Sequence, residues 1–191
     1  MYKISGYLAE KEIERMLRQK IKTDLETQTA VAMIARCGLS LEELCYLRIE
    51  DIDFNHSRMF VRGTRGNGLR ETPIDGRTME IIRTYIGSDT HGFLLDRRKR
   101  AKGHQVEKFI KTCSKRIQRK VKQRGRKVGL ARKATPLMLR HSFGVSALRA
   151  GMNPLTVKAI LGLRSFKMIQ IYLAEIAPEM DIDYHKHPLP Y

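Results

Sequence analysis

Lysine and arginine side chains are concentrated in one part of this 191-residue chain, where together they could bind a polyanion. Residues 97–133 contain 17 Lys or Arg against one acid, Glu107, a net charge of +16. The whole chain has 37 basic and 20 acidic residues and a net charge of +17, so the remainder is close to neutral. Nucleic acid suits such a block better than membrane lipid, and we expect salt-dependent phosphate contacts without base-specific readout.

The basic segment is itself predicted to fold, because apolar residues recur through it at helical spacing. That stripe would pack against the core, which makes a membrane surface the weaker alternative. The stripe comprises Val106, Phe109, Ile110, Cys113, Ile117 and Val121. The cations predicted to contact nucleic acid from this helix are Lys108, Lys111, Lys115, Arg119, Lys122, Arg126 and Lys127.

Metal, disulfide and membrane chemistry find little support in the sequence. Cys37, Cys45 and Cys113 form no CxxC pair, so they predict small buried side chains in a reducing compartment rather than a zinc site or a disulfide framework. We expect no metal and no cofactor. No apolar run approaches the roughly 20 residues of a membrane helix. Charges near the N-terminus argue against a signal peptide, so we expect a cytoplasmic protein.

Helices with clear start and stop signals would position these residues, with a short β-rich region between them. Ser40 followed by Glu43 predicts a capping box, and Thr135 followed by Pro136 predicts a cap with a first-turn proline. Turn residues at 63–68 separate two β-like runs, which predicts a small antiparallel sheet. The predicted helices span 5–20, 24–36, 40–47, 77–86, the basic stretch around 106–121, 136–150, 154–162 and 165–176, and the predicted strands span 51–54, 58–62 and 69–74.

The fold class that follows is mainly α with a small antiparallel β-sheet (α+β). No internal repeat or interdomain linker is found, so residues 1–177 are predicted to form one domain. Pro178 is expected to end the last helix and to begin a C-terminal tail, residues 178–191.

Four sequence motifs, in order, resemble those of the catalytic domain of the tyrosine recombinases, the phage integrase family. Residues 35–53 resemble the family signature GLRxxEL…L…DID, and residues 61–73 resemble its hairpin motif GKGxKxRxxP. Residues 135–143 (TPLMLRHSF) resemble TPHxLRHSF, and residues 161–172 (LGLRSFKMIQIY) resemble LGHSSxxTTxxY. The resemblance extends over about residues 5–176 and implies the fold of that catalytic domain.

The resemblance also implies cleavage and rejoining of DNA strands without a metal. In the family a tyrosine hydroxyl attacks a phosphodiester, which gives a 3′-phosphotyrosine and a free 5′-hydroxyl. Two arginines stabilise the transition-state charge, a hairpin lysine protonates the leaving oxygen, and histidines assist. Carried over, Tyr172 is the nucleophile, Arg140 is the second arginine and His141 is its usual neighbour. Arg65 is a candidate for the hairpin lysine.

Four family positions are substituted in this chain. Ser40 falls where the first arginine would be, and Thr64 falls where the hairpin lysine would be when counted from the preceding glycine. Leu137 and Leu163 replace the two histidines. Serine cannot replace a bidentate guanidinium, and an arginine such as Arg65 is a poor proton donor. We therefore expect a degenerate active site with impaired strand cleavage.

The leading hypothesis is a basic, DNA-binding protein similar to tyrosine recombinases and associated with DNA recombination or integration at the nucleoid. Double-stranded DNA is the expected partner, with hairpin contacts from Arg62 and Arg70. Whether it is an enzyme is left open, because Tyr172 could equally be a core tyrosine. The alternatives are a non-catalytic accessory or regulatory protein derived from a recombinase and, from charge alone, an RNA-binding protein of ribosomal kind. The family's N-terminal core-binding domain finds no counterpart in the sequence, so we expect a homo-oligomer or a partner recombinase on DNA.

Overall fold

The computed structural model describes residues 6–18, 24–63, 68–96 and 105–186, with side chains described as far as residue 178. Helices alternate with one small sheet, as the sequence predicted. In chain order the elements are α1 (Glu10–Arg18), α2 (Leu25–Cys37), α3 (Leu41–Tyr46), a 3-10 turn (Ile49–Asp51), β1 (Ile52–Asp53), β2 (Arg58–Arg62), β3 (Leu69–Pro73), α4 (Gly76–Ile86), α5 (Gln105–Lys127), α6 (Pro136–Arg149), α7 (Pro154–Leu161) and α8 (Lys167–Lys186).

Helix α2 lies at the centre of the fold because its sequence is apolar on most sides. Val31, Met33 and Ile34 are fully buried, and the helix packs against α1, α4, α5 and α6. It ends at Gly38, whose φ of 69° is a left-handed conformation that glycine adopts without strain. The turn leads directly into α3, where Ser40 and the side chain of Glu43 form the predicted capping box. Sequence signals alone therefore fix how α3 leaves the core helix.

The three strands form an antiparallel sheet in the order β1-β2-β3. In β2, Met59 and Val61 are buried while Phe60 and Arg62 face outward, the alternation expected for a sheet with one covered face. Val61 pairs with Arg70 of β3, which places Arg70 on the covered side. This register decides that Arg70 points toward the helices.

Helices α6, α7 and α8 enclose a second apolar cluster beside the main core. Val145 of α6, Leu161 of α7 and Ile169 of α8 are fully buried there. Tyr172 and Ile176 of α8 pack in the same cluster. The two turns of α8 that carry Tyr172 are thus held by apolar burial.

The largest differences from the predicted helix boundaries lie at the start of α1 and the end of α8. Helix α1 begins at Glu10 rather than near residue 5, following Gly6 with its positive φ of 103°. Helix α8 continues through Pro178 to Lys186, so the predicted tail does not begin at residue 178. A proline removes one backbone donor, and the carbonyl left without it belongs to Ala174, an exposed residue whose carbonyl water can reach. The helix therefore tolerates the interruption.

Candidate nucleic-acid interface

A cleft of about 650 Å³ opens where the first turns of α3 and α6 meet one face of α5. Thr135 caps α6 at its wall, its hydroxyl accepting a hydrogen bond from the N–H of Met138 at 3.2 Å. None of the residues that line the cleft is acidic. The cationic lining residues are Lys115, Arg119, Lys122, Lys133 and Arg140.

The basic helix α5 divides its cations between two faces. Arg116 and Lys120 each contact the carboxylate of Glu26 on α2 at 2.7 Å. Arg124, which is 1% exposed, donates to the carbonyl of Met16 at 2.6 Å and lies 3.3 Å from Asp24. These three cations are neutralised within the fold, so part of the charge that suggested a polyanion partner holds α5 against α2.

The cations of α5 that were predicted to contact DNA are on the outside of the molecule. Lys115, Arg119 and Lys122 line the cleft. The others extend along the same helix beyond the cleft and are exposed: Lys108, Lys111, Arg126 and Lys127. The structure therefore brings together the middle of the predicted set at one concave site.

A buried carboxylate lies between two arginines at the base of the cleft. Glu43 is 3% exposed and accepts hydrogen bonds from Arg70 Nη1 at 2.6 Å and Arg140 Nη1 at 3.0 Å. Burial alone would raise the pKa of Glu43, but the hydrogen bond from Arg70 and the charge of Arg140 lower it below its ordinary value. Arg140 also donates to the carbonyls of Gly38 at 3.0 Å and Leu161 at 2.6 Å. Arg140 is therefore fixed in position at the cleft wall.

Tyr172 and His141 form a pair that is closed off from solvent. Tyr172 is 2% and His141 7% exposed, and the hydroxyl of Tyr172 lies 2.9 Å from Nδ1 of His141. Burial raises the pKa of Tyr172 to about 12, an effect that the charge of Arg140 only partly offsets. Burial and then the charge of Arg140 lower the pKa of His141, which is therefore neutral at pH 7. In this arrangement the tyrosine is a packed, protonated core residue.

The four positions that the sequence motifs predicted to be substituted do not lie together in the described structure. Ser40 and Leu137 line it, and Leu137 is 54% exposed at its rim. Leu163 is half-buried against the cluster that contains Tyr172. The exposed Leu137 thus does not fill the cleft, while the hydroxyl of Tyr172 lies against His141 of α6. Thr64 lies outside the described residues.

Of the three hairpin arginines, Arg62 and Arg70 are described, and their environments differ. Arg62 is exposed and forms a bidentate ion pair with Asp51, at 2.8 and 2.9 Å. Arg70 was expected at a DNA-facing surface, but its side chain is only 10% exposed and bonds Glu43 and the carbonyl of Ile160. The sheet register turns it inward, so it supports the cleft from behind. Arg65 lies outside the described residues.

Two residues of this site carry roles that the sequence reasoning missed. Glu43 was identified only as a capping residue, yet it also joins the two arginines. The available signal was its place on the apolar face of α3, four residues before the buried Leu47. Gly144 was not singled out, although an added Cβ there would meet Cε2 of Tyr172 at 2.4 Å. A small residue one helical turn from Arg140 is the local signal for that close approach.

Within the described part of the chain, no three His, Cys, Asp or Glu side chains gather as a metal site requires. None of the helices seen there is long and apolar enough to cross a membrane.

The sequence and the fold are similar to those of known recombinases. Residues 6–177 match the phage integrase family. The chain is 32% identical over 169 residues to the tyrosine recombinase XerA of Pyrococcus furiosus, covering 86% of this chain and 56% of that protein. It is 30% identical over 157 residues to XerC of Chromobacterium violaceum, covering 79% and 48%. This chain thus spans about half the length of these curated relatives.

Solved structures give the same result for the fold. The crystal structure of XerA recombinase superposes with a TM-score of 0.79 at 25% identity, covering 100% of this chain and 68% of that chain. XerH bound to palindromic difH superposes with a TM-score of 0.71 at 18% identity, covering 95% and 53%. Because the family match runs from α1 through the part of α8 that carries Tyr172, the chain belongs to the phage integrase family of tyrosine recombinases.

Proposed function

We propose that this protein binds double-stranded DNA with a phosphodiester backbone seated in the basic cleft, and that its ability to cleave the strand is impaired. One observation carries the proposal: five cationic side chains line a space of about 650 Å³ with no acid among the lining residues. Phosphate oxygens bind such ammonium and guanidinium groups through charge-assisted hydrogen bonds.

The cations that α5 contributes to the cleft differ from those that hold the fold together, whereas the cleft cation Arg140 is paired with Glu43. Arg116, Lys120 and Arg124 pair with residues of α2 or of its N-terminal cap, whereas Lys115 and Arg119 are exposed. XerH, which shares this fold, has been solved bound to its difH substrate. A DNA backbone across α5 is consistent with both observations.

Two observations support impaired cleavage: the buried hydroxyl of Tyr172 and the serine at the position of the family's first arginine. A nucleophilic hydroxyl must reach a phosphorus atom, but the hydroxyl of Tyr172 is buried against His141 and its pKa is raised to about 12. Ser40 lines the cleft where a second guanidinium would add stabilisation, a loss of roughly 10²–10³ in rate. A missing general acid costs roughly 10²–10⁴ more, and such losses overlap when groups act together.

Fluorescence anisotropy with a labelled duplex over a range of salt tests the binding. We expect Lys122→Gln to weaken binding and to reduce the slope of log affinity against log salt by about 1, the share of one phosphate contact. Lys11→Gln makes the same charge change at an exposed position of α1 and should alter neither quantity. Equal binding by both variants and the unmodified protein would remove the cleft from the interface. Failure of duplex DNA to compete with RNA at moderate salt would favour the RNA-binding alternative.

A nicked duplex that traps covalent intermediates tests the cleavage. We expect no covalent DNA adduct from the unmodified protein, and retained binding by Tyr172→Phe. An adduct that disappears in Tyr172→Phe would establish an active recombinase and overturn the impairment. A Ser40→Arg, Leu137→His double variant restores two of the family's groups at the cleft and serves as the sensitised control. The stoichiometry of the bound complex tests, in parallel, the expectation of a second copy or a partner recombinase.

A further inference from the structure

Two of the three cysteines meet in the interior, which their separation in the sequence did not indicate. Cys45 of α3 and Cys113 of α5 are both fully buried, and their sulfur atoms lie 3.1 Å apart. All three cysteines are free thiols. A disulfide joins its sulfurs at about 2.05 Å, so closure needs the two atoms to approach by only about 1 Å.

The surroundings of the pair favour a thiolate on one side of it. The thiol of Cys45 donates to Cys113 Sγ, and the hydroxyl of Ser114 donates to Cys45 Sγ at 3.6 Å. Arg116 Nη2, which is also paired with Glu26, donates to Cys113 Sγ at 3.8 Å. The hydrogen bond between the two sulfurs outweighs burial and lowers the pKa of Cys45. Cys37 is also buried, and there burial raises the pKa of the thiol.

We propose that Cys45 and Cys113 are a site of reversible oxidation, at which hydrogen peroxide converts the thiol pair into a disulfide that ties α3 to α5. The Cys45 thiolate attacks one peroxide oxygen, the O–O bond breaks, and hydroxide leaves to give a sulfenic acid. The thiol of Cys113 then attacks Cys45 Sγ, its proton passes to the departing oxygen, and the S–O bond breaks with loss of water. Two thiols lose two electrons and two protons, and one peroxide becomes two waters.

The crosslink would join the two walls of the basic cleft. Helix α3 starts at the cleft with Ser40 before it, and α5 contributes Lys115 and Arg119 two and six residues beyond Cys113. Because the sulfurs already touch, the disulfide fixes the present width of the cleft rather than changing it. The cysteines are 68 positions apart, so the bond restricts a long loop of the unfolded chain. We expect the midpoint of thermal unfolding to rise by about 5–15 °C on oxidation.

The test compares reduced protein with protein treated with hydrogen peroxide and then quenched. We expect titratable thiols under denaturing conditions to fall from three to one, with a non-reducing peptide map that links the Cys45 and Cys113 peptides. Dithiothreitol should restore all three thiols and the lower unfolding midpoint. Cys37→Ala should behave as the unmodified protein does, whereas Cys45→Ser should form no intramolecular link.

The peptide map of the unmodified protein decides the outcome even if Cys45→Ser folds poorly. Thiols that resist peroxide, sulfinic acid without a link, or a link that includes Cys37 would each overturn the proposal. The disulfide does not depend on DNA binding. A negative oxidation experiment therefore says nothing against the proposed DNA-binding cleft, and a negative DNA-binding experiment says nothing against the disulfide.

Discussion

Replacing Glu43 by glutamine removes the negative charge that lies between two buried guanidinium groups. The carboxylate is 3% exposed, and the side chains of Arg70 and Arg140 are 10% and 15% exposed. Glutamine keeps the shape and can still bond one arginine, but it leaves two like charges facing each other with little water to screen them.

The expected destabilisation follows from that burial. Removing one partner of a buried ion pair costs about 3–5 kcal/mol, because the remaining charge is left uncompensated. For a chain of this size we expect the thermal midpoint to fall on the order of 10 °C. Arg140 would also lose the contact that fixes it at the cleft wall, so DNA affinity should fall together with stability.

Urea unfolding of three variants separates this effect from a general loss of charge. Glu71→Gln breaks an ion pair of the same type with Arg58 at 3.1 Å, but that pair is 51% and 37% exposed, so water screens it and its loss should destabilise far less. In the third variant, Arg70→Met is added to Glu43→Gln. It removes one of the uncompensated charges and should recover part of the lost stability.

The pH dependence of the free energy of unfolding gives a second test of the interaction of Glu43 with the two arginines. The pKa of Glu43 is lowered from 4.5, so its carboxylate stabilises the fold above that pH and the contribution is lost as pH falls through the folded value. The stability difference between the unmodified protein and Glu43→Gln should therefore be largest at neutral pH and shrink in acid. A Glu43→Gln protein no less stable than Glu71→Gln, or a difference that persists in acid, would refute the reasoning.

Three further predictions concern α6 and the tyrosine that packs on it. Gly144→Ala should lower the free energy of unfolding by about 1–3 kcal/mol, because the added Cβ would lie 2.4 Å from the ring of Tyr172. The control is Gly76→Ala, whose Cβ meets nothing within 4 Å and which should not destabilise the protein. Equal stabilities of the two variants would contradict the close contact. Burial raises the pKa of Tyr172 from 10.0 to about 12, so unfolding free energy should decrease between those pH values, and Tyr172→Phe should lack that decrease. Thr135→Ala should cost about 1 kcal/mol by removing the helix cap while Thr135→Ser retains it, and a neutral alanine would show that the cap is dispensable.

Local signals in the sequence were sufficient for most of the fold. The capping box at Ser40, the Thr135 cap and the glycine end of α2 depend on residues within four positions of one another. The alternation in β2 likewise follows from neighbours along the strand. Pro178 was expected to end α8, but a proline removes one backbone donor and the carbonyl left without it belongs to the exposed Ala174, so the helix continues.

The site could be predicted only in part, because its decisive contacts join distant positions. Glu43 meets Arg140 across 97 positions, and Tyr172 meets His141 from a different helix. A sequence motif identifies Tyr172 and His141, but it does not show whether the tyrosine hydroxyl faces solvent or the ring nitrogen of the histidine. That distinction separates a poised nucleophile from a core tyrosine, and it depends on the packing of α8 against α6.

The cations of α5 lie on different faces of the helix, and some of them pair with other parts of the fold. At about 100° per residue, Arg116, Lys120 and Arg124 fall within about 80° of one another, and these are the cations that pair with α2 or donate to Met16. Lys115 and Lys122 of the cleft fall roughly opposite, whereas Arg119 lies about 60° from Arg116. Lys127 falls on the same side as Arg116 but is exposed near the end of the helix. The basic block is therefore not one surface, because three of its cations pair with groups of the fold itself.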